Sequence, residues 1–157
     1  MLPTKSQVIS ALIAAVERDL ETAERAQAIA ASEATSEESK AEGKYDTRAT
    51  EASYLARGQA ERVAELQDLL IWFKRLAPGH RPPTVSLGSL VSIQGDREQV
   101  LFISPVGGGK ATVDGVEVKT ISLASPLGQV MMGLEEGDDL ELRTPDGTQD
   151  LEIDKLA

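Results

Sequence analysis

Two stretches in the N-terminal half place apolar or small residues at alternating steps of four and three, and this pattern strongly limits how the chain can fold. In the first stretch these positions, which include one glutamine, are Ile9, Ile13, Val16, Leu20, Ala23, Gln27, Ala30 and Ala34. In the second they are Tyr45, Ala49, Ala52, Ala56, Gln59, Val63, Leu66, Leu70 and Phe73. An average spacing of about 3.5 residues is typical of a coiled-coil seam. The pattern therefore predicts two long helices that pack against each other.

The two seams match each other if the chain folds back near residue 39 or 40. Large residues then face each other at one end, where Val16 meets Val63. Alanines face each other nearer the turn, where Ala23 meets Ala56. The predicted hairpin is therefore bulky at its base and weakly held at its tip. Gly58 interrupts the second helix, where glycine costs about 1 kcal/mol, so we expect it to allow a close approach or a slight bend.

Charge and composition exclude several classes of partner. The 157 residues include 26 acidic and 16 basic side chains, giving a net charge of −10. Sequence-specific DNA binding and anionic membranes favour a basic surface, so neither is expected. No apolar run approaches the ~18 residues of a membrane span, and the first residues do not resemble a secretory signal. The absence of cysteine is consistent with a reducing compartment. We expect a cytoplasmic monomer.

The composition changes after a short proline-rich segment. Pro78 and Gly79 end the second helix, and residues 78–84 are expected to form a linker between a hairpin at 1–77 and a domain at 85–157. Short β-branched runs follow, and residues 144–147 (Thr-Pro-Asp-Gly) predict a hairpin turn. Ser125 and Pro126 are expected to open a short helix. The prediction is an α+β fold whose C-terminal domain has a sheet of about five strands.

Acidic residues concentrate in the predicted turn. Residues 35–44 are polar, and the tip near 35–46 carries most of the acids Glu33, Glu37, Glu38, Glu42 and Asp46. Carboxylates at an exposed apex could complete a Mg²⁺ site in a partner, because Mg²⁺ prefers oxygen ligands. A solvated charged turn is the simpler interpretation, and Lys40 and Lys44 partly neutralise the acids.

Other chemical motifs are weak. Residues 107–110 (Gly-Gly-Gly-Lys) resemble part of a phosphate loop, but Ala111 stands where Ser or Thr would bind magnesium. We therefore interpret this segment as a glycine-rich turn. His80 is the only histidine and lies in the linker, which excludes a catalytic triad elsewhere. We expect no enzyme activity, no metal site and no cofactor.

Four motifs in the second half occur in a recognisable order. They are Ile121-Ser-Leu-Ala-Ser125-Pro126-Leu127-Gly128, Gly133-Leu-Glu-Glu-Gly137-Asp138-Asp139, Arg143-Thr144-Pro145-Asp146-Gly147 and Leu151-Glu-Ile153. Preceded by a long helical hairpin, this order resembles the GreA/GreB transcript cleavage factors over nearly the whole chain. The resemblance implies an antiparallel α-helical coiled coil that enters the secondary channel of bacterial RNA polymerase. It also implies a small FKBP-like α+β domain that docks at the channel rim, with the docking candidates Ser125, Pro126, Leu127 and Gly128.

The tip departs from the pattern of that family. The family carries Gly-Asp-Leu-x-Glu-Asn-x-Glu-Tyr there, and its Asp and first Glu act on the catalytic magnesium of the polymerase. If Tyr45 matches the family Tyr, Glu38 stands at the Asp position. Ala41 then stands at the position of the first Glu, and Glu42 follows it. The resemblance makes Glu38 and Glu42 the candidate tip acids, accompanied by Glu37, Tyr45 and Asp46.

Two functional hypotheses remain open. The first is a Gre-like factor that binds RNA polymerase and modulates elongation or transcript cleavage, with any Mg²⁺ supplied by the polymerase. Within it, the tip either promotes cleavage or only occupies the channel. The second is an acidic coiled-coil adaptor or scaffold that binds a basic protein outside transcription.

Overall fold

The computed structural model describes residues 2–40 and 48–157, and the side chains of residues 37–40 and 48–49 lie outside that description. The described chain forms two long helices followed by a six-stranded sheet and a short helix. The helices are α1 (Lys5–Lys40), α2 (Arg48–Lys74) and α3 (Pro126–Met131). The strands are β1 (Leu90–Gln94), β2 (Glu98–Ile103), β3 (Lys110–Val113), β4 (Val116–Ile121), β5 (Asp139–Thr144) and β6 (Gly147–Leu156). The α+β prediction is confirmed, with one strand more than the approximate count.

The chain divides into two compact units. One, called here the rod, is Val16–Trp72. The other, called the sheet unit, combines Met1–Ala15 with Phe73–Ala157. The start of α1 thus belongs to the same unit as the sheet. The predicted limits of hairpin, linker and C-terminal domain stay a prediction.

The seam predicted from the sequence is confirmed by burial within the rod. Every described seam position in this unit is buried or half-buried. The buried ones are Val16, Ala23, Ala34, Val63 and Leu66. Between them the helix surfaces are largely charged and exposed, as expected for a coiled coil. The residue-by-residue pairing of the two seams stays a prediction.

Helix α1 continues beyond the end that the sequence suggested. The seam was expected to stop near Ala34, with a turn over residues 35–44, but α1 ends at Lys40. Thr35, the first residue of that polar stretch, lies inside α1, where its Oγ1 donates to the carbonyl of Ala31 at 3.0 Å. Ser, Glu and Lys are polar but compatible with a helix, so polarity alone does not end one. Residues 41–47 lie outside the described part of the chain.

The sheet has strand order β3-β4-β2-β1-β6-β5, and all neighbouring pairs are antiparallel except β2 with β4. One face forms the core with α3, and its buried members are Val85, Val91, Ile93, Leu101, Ile103, Met131, Leu140, Leu151 and Ile153. The opposite face is also buried at Leu90, Val100, Phe102 and Val118. On that side the Phe73 ring lies 5.8 Å from the Phe102 ring, measured between centroids. The central strands are therefore buried on both faces.

Lys5 attaches the start of α1 to the linker. Its side chain is buried, and Nζ donates to the carbonyl of His80 at 2.8 Å. Burial lowers the pKa of Lys5, and the nearby Arg81 charge lowers it further. The hydrogen bond compensates in part for removing an ammonium group from water.

Candidate functional site

The predicted tip site lies largely outside the described residues. Glu42, Tyr45 and Asp46 belong to residues 41–47, whose placement is not described. Glu37 and Glu38 lie in the last turn of α1, and only their backbone is described. The arrangement of the tip acids therefore stays a prediction.

The predicted docking motif begins with a helix cap. Ser125 precedes α3 in an extended conformation, and its Oγ accepts from the Gly128 amide at 3.0 Å. The same hydroxyl donates to the carbonyl of Ser122 at 2.7 Å. Pro126 occupies the first turn of α3. A backbone amide there has no hydrogen-bond partner within the helix, so the missing amide hydrogen of proline loses no bond. Both hydrogen bonds of the Ser125 hydroxyl therefore serve to hold α3 in place.

Gly128 is required by a close backbone approach. A Cβ built on Gly128 would lie 2.0 Å from the Ser122 carbonyl oxygen and 2.9 Å from Leu123 Cα. Gly128 is buried, and Leu127 packs against the core. Of the four docking candidates only Pro126 is exposed. The motif therefore positions α3, and Pro126 is its member most available to a partner.

Four other side chains provide an exposed apolar surface that the sequence analysis missed. They are Leu87, Val106, Val130 and Met132, with exposed fractions of 46%, 48%, 38% and 59%. We call them the sheet-end surface. The apolar run at residues 130–134 was the available signal, since a short helix on a sheet cannot bury every residue of such a run.

Backbone hydrogen bonds link the segments that carry this surface. Gly88, next to Leu87, donates to the carbonyl of Ile103 at the end of β2. Ser104 then donates to Ile121 at the end of β4. Gly133, next to Met132, donates to the carbonyl of Val85 at 2.9 Å. The four side chains therefore belong to connected segments at one end of the sheet.

The glycine-rich segment does not form a phosphate loop. The amide of Gly108 donates to the Thr120 carbonyl at 3.1 Å, and that of Gly109 donates to Thr120 Oγ1 at 2.8 Å. Lys110 begins strand β3. Because these amides are already bonded within the domain, they are not available to hold phosphate. The interpretation as a turn agrees with this geometry.

An acidic cleft of about 760 Å³ lies beside the β5–β6 hairpin. Asp139 stands directly opposite Glu152, and Glu141 directly opposite Asp150. No salt bridge involves these four carboxylates in the part of the chain that the structure describes. Like charges that face each other across two strands are destabilising.

Neither a metal cluster nor a membrane span is found in residues 2–40 and 48–157. No group of three or more acidic, histidine or cysteine side chains there is arranged to hold a metal ion. None of the helices in these residues combines the length and apolar character needed to cross a bilayer.

A family model described as transcription elongation factor GreA/GreB, C-terminal, matches residues 80–157. The transcription inhibitor protein Gfh1 of Thermus thermophilus is 32% identical over 114 residues, covering 69% of this chain and 70% of that protein. The transcription elongation factor GreA of a Jannaschia species is 28% identical over 99 residues, covering 61% of this chain.

The length covered differs between these relatives. The chain spans 60% of the Jannaschia GreA and 58% of the GreA from a Sulfurovum species. The crystal structure of Thermus thermophilus Gfh1 aligns over 92% of this chain and 94% of its own, at 22% identity and a TM-score of 0.37. The family match of the C-terminal half and the coverage of the Gfh1 sequence establish that the chain belongs to the GreA/GreB family of transcription elongation factors.

Proposed function

We propose that this protein binds bacterial RNA polymerase and inserts its coiled coil into the secondary channel, where it modulates elongation or transcript cleavage. The observation that carries the proposal is the sheet-end surface, an exposed apolar area beside α3 in a chain of the GreA/GreB family. Apolar surface grouped in one area marks a site of protein contact more often than scattered exposed residues do. The proposed docking site at the channel rim is therefore this surface together with Pro126.

The protein acts in the cytoplasm, as a monomer, without a catalytic centre or cofactor of its own. Any magnesium ion near the tip belongs to the polymerase. The coiled coil supports this role because a long narrow hairpin can enter a channel that a globular domain cannot. The tip acids Glu38 and Glu42 are the residues to test for action on that ion.

A binding measurement tests the docking step. Val130→Ser with Met132→Ser removes the two most helix-proximal side chains of the sheet-end surface, and affinity for core RNA polymerase is expected to fall on the order of tenfold. Ile71→Ser is the matched control, because Ile71 is also an exposed apolar residue but does not belong to the sheet-end surface. Wild-type protein that does not bind polymerase overturns the proposal and favours the acidic adaptor.

A second assay tests the tip. A backtracked elongation complex is incubated with wild-type protein or with the Glu38→Ala, Glu42→Ala double variant. Cleavage that rises with wild type and disappears with the variant supports action on the polymerase magnesium. Slowed elongation that survives the double variant, without cleavage, assigns the tip to channel occupation.

A further inference from the structure

The distal rod carries three large apolar side chains in contact with water. Ile29, Tyr54 and Leu55 are 61%, 65% and 62% exposed, which is more than any member of the sheet-end surface. We call these three the apolar flank. A single exposed apolar residue is ordinary. Three in one short part of a charged rod require an explanation.

The seam beside these residues is built from small side chains. Ala23, Ala30, Ala52 and Ala56 occupy seam positions at this level of the rod, and all are buried or half-buried. An ordinary amphipathic helix places its large apolar residues inward and its small or polar residues outward. Here the order is reversed, because Ile29 and Leu55 lie outside the alanine seam. The packing of the two helices therefore does not account for the apolar flank.

The seams predicted from the sequence place two members of the flank on the same side of the rod. Ile29 immediately precedes seam residue Ala30, and Leu55 immediately precedes seam residue Ala56. In an antiparallel coiled coil these two positions project to one side. In the register predicted from the sequence, the two residues are about five residues apart along the axis, or roughly 7 to 8 Å.

Tyr54 extends the flank onto the outer surface of α2. The guanidinium carbon of Arg57 lies 5.5 Å from the centroid of its ring, within the range of a cation–π contact. Gly58 follows in the next turn, and no atom lies within 4 Å of a Cβ built there. The surface beside Leu55 is therefore open to an incoming partner.

The size of the flank limits what can cover it. Three side chains that are about three-fifths exposed offer on the order of 300 Å². A stable interface needs roughly 800 Å² from each partner, so the flank alone cannot hold two copies of this chain together. It suits a partner that already holds the protein through another surface.

We propose that the apolar flank packs against an apolar part of the polymerase channel wall when the rod is inserted. The proposal rests on the proposed function and adds a second, separate contact to rim docking. In this arrangement the flank fixes the depth and rotation of the rod. The contact forms only when the flank lies directly opposite the apolar part of the channel wall. The tip acids are then presented at a defined position.

The test uses full-length protein and core RNA polymerase. In the Ile29→Gln, Leu55→Gln double variant, glutamine preserves helix propensity while removing apolar surface. Affinity is expected to fall on the order of tenfold. Ile71→Gln is the matched control on the same rod and is expected to bind within about twofold of wild type. Circular dichroism checks that all variants keep the helix content of wild type.

Each outcome bears on the proposal. Leu55→Met keeps an apolar side chain and is expected to retain wild-type affinity, whereas Leu55→Gln alone is expected to lose part of it. A double variant that binds as tightly as wild type overturns the proposal and leaves the proposed function intact. Wild-type protein that fails to bind polymerase overturns both. A wild-type dimer in sedimentation that dissociates in the double variant assigns the flank to self-association and also overturns it.

Discussion

The rod and the sheet unit use apolar residues in opposite ways. All of the largest fully buried side chains lie in the sheet unit: Phe73, Phe102, Leu12, Leu90, Ile93, Leu101, Ile103, Met131, Ile153, Val8, Val85 and Val91. The rod buries smaller side chains and leaves the large apolar residues Ile29, Tyr54, Leu55 and Ile71 exposed. Because burial of large side chains supplies most folding free energy, stability is concentrated in the sheet unit. The rod contributes length and an exposed surface.

Hydrogen exchange gives the largest expected contrast between the two units. Amides in β1 and β2 are expected to exchange only through global unfolding, which costs about 5 to 15 kcal/mol in typical domains. Amides of residues 23–34 belong to the part of α1 whose seam is mostly alanine. They are expected to exchange through local opening, faster than the amides of β1 and β2 by several powers of ten. Measured by mass spectrometry, protection that is uniform along the chain, or highest near Ala30, would contradict the comparison.

Removing one large side chain from each unit sharpens the same contrast. Phe102 is fully buried against Phe73, so Phe102→Ala is expected to cost about 3 to 5 kcal/mol. Val63→Ala in the rod removes less apolar surface and is expected to cost about 1 to 2 kcal/mol. Urea unfolding of both variants provides the measurement. Equal losses would mean that the rod is as tightly packed as the sheet unit.

The two units also differ in how well the sequence predicts them. A coiled-coil seam is a local pattern, and Val16, Ala23 and Val63 are buried as their spacing predicts. The predicted end of α1 near Ala34 was wrong, because the polar residues that follow contain no strong helix-stop signal before Gly43. The exposure of Ile29 and Leu55 also follows from the seam spacing, although apolar character alone would place them inside.

The sheet is harder to predict because its pairings join distant residues. The runs of β-branched residues located the strands, but the parallel pairing of β2 with β4 joins Val100 with Val118 across an intervening strand. No local pattern specifies such a neighbour. The docking motif is a local case by contrast, because Gly128 is required by the carbonyl of Ser122, which lies earlier in the same motif.

Gly128→Ala tests this close backbone approach. The added methyl group would meet backbone atoms, which cannot move aside as a flexible side chain can. The substitution is expected to destabilise the sheet unit by about 1 to 3 kcal/mol and to weaken polymerase binding by displacing α3. Ser125→Ala, which removes the cap and the hydroxyl's bond to the Ser122 carbonyl, is expected to cost about 1 kcal/mol. Chemical denaturation gives both values, and a Gly128→Ala protein as stable as wild type would show that α3 can shift freely.

Gly58→Ala is expected to have the smallest effect, and an effect of opposite sign. Gly58 is exposed inside α2, and no atom lies within 4 Å of a Cβ built there. Of the two alternatives expected from the sequence, the close approach is therefore wrong, and the slight bend stays a prediction. Alanine should therefore stabilise the rod by about 0.5 to 1 kcal/mol, because glycine loses more backbone entropy in a helix. Gly108→Ala is the matched control: it has equally open space but a φ of +88°, so it should destabilise. Thermal melting followed by circular dichroism measures both. If Gly58→Ala lowers the melting temperature, the rod needs flexibility at this point. The view that the rod differs from the sheet unit only in burying smaller side chains would then have to be abandoned.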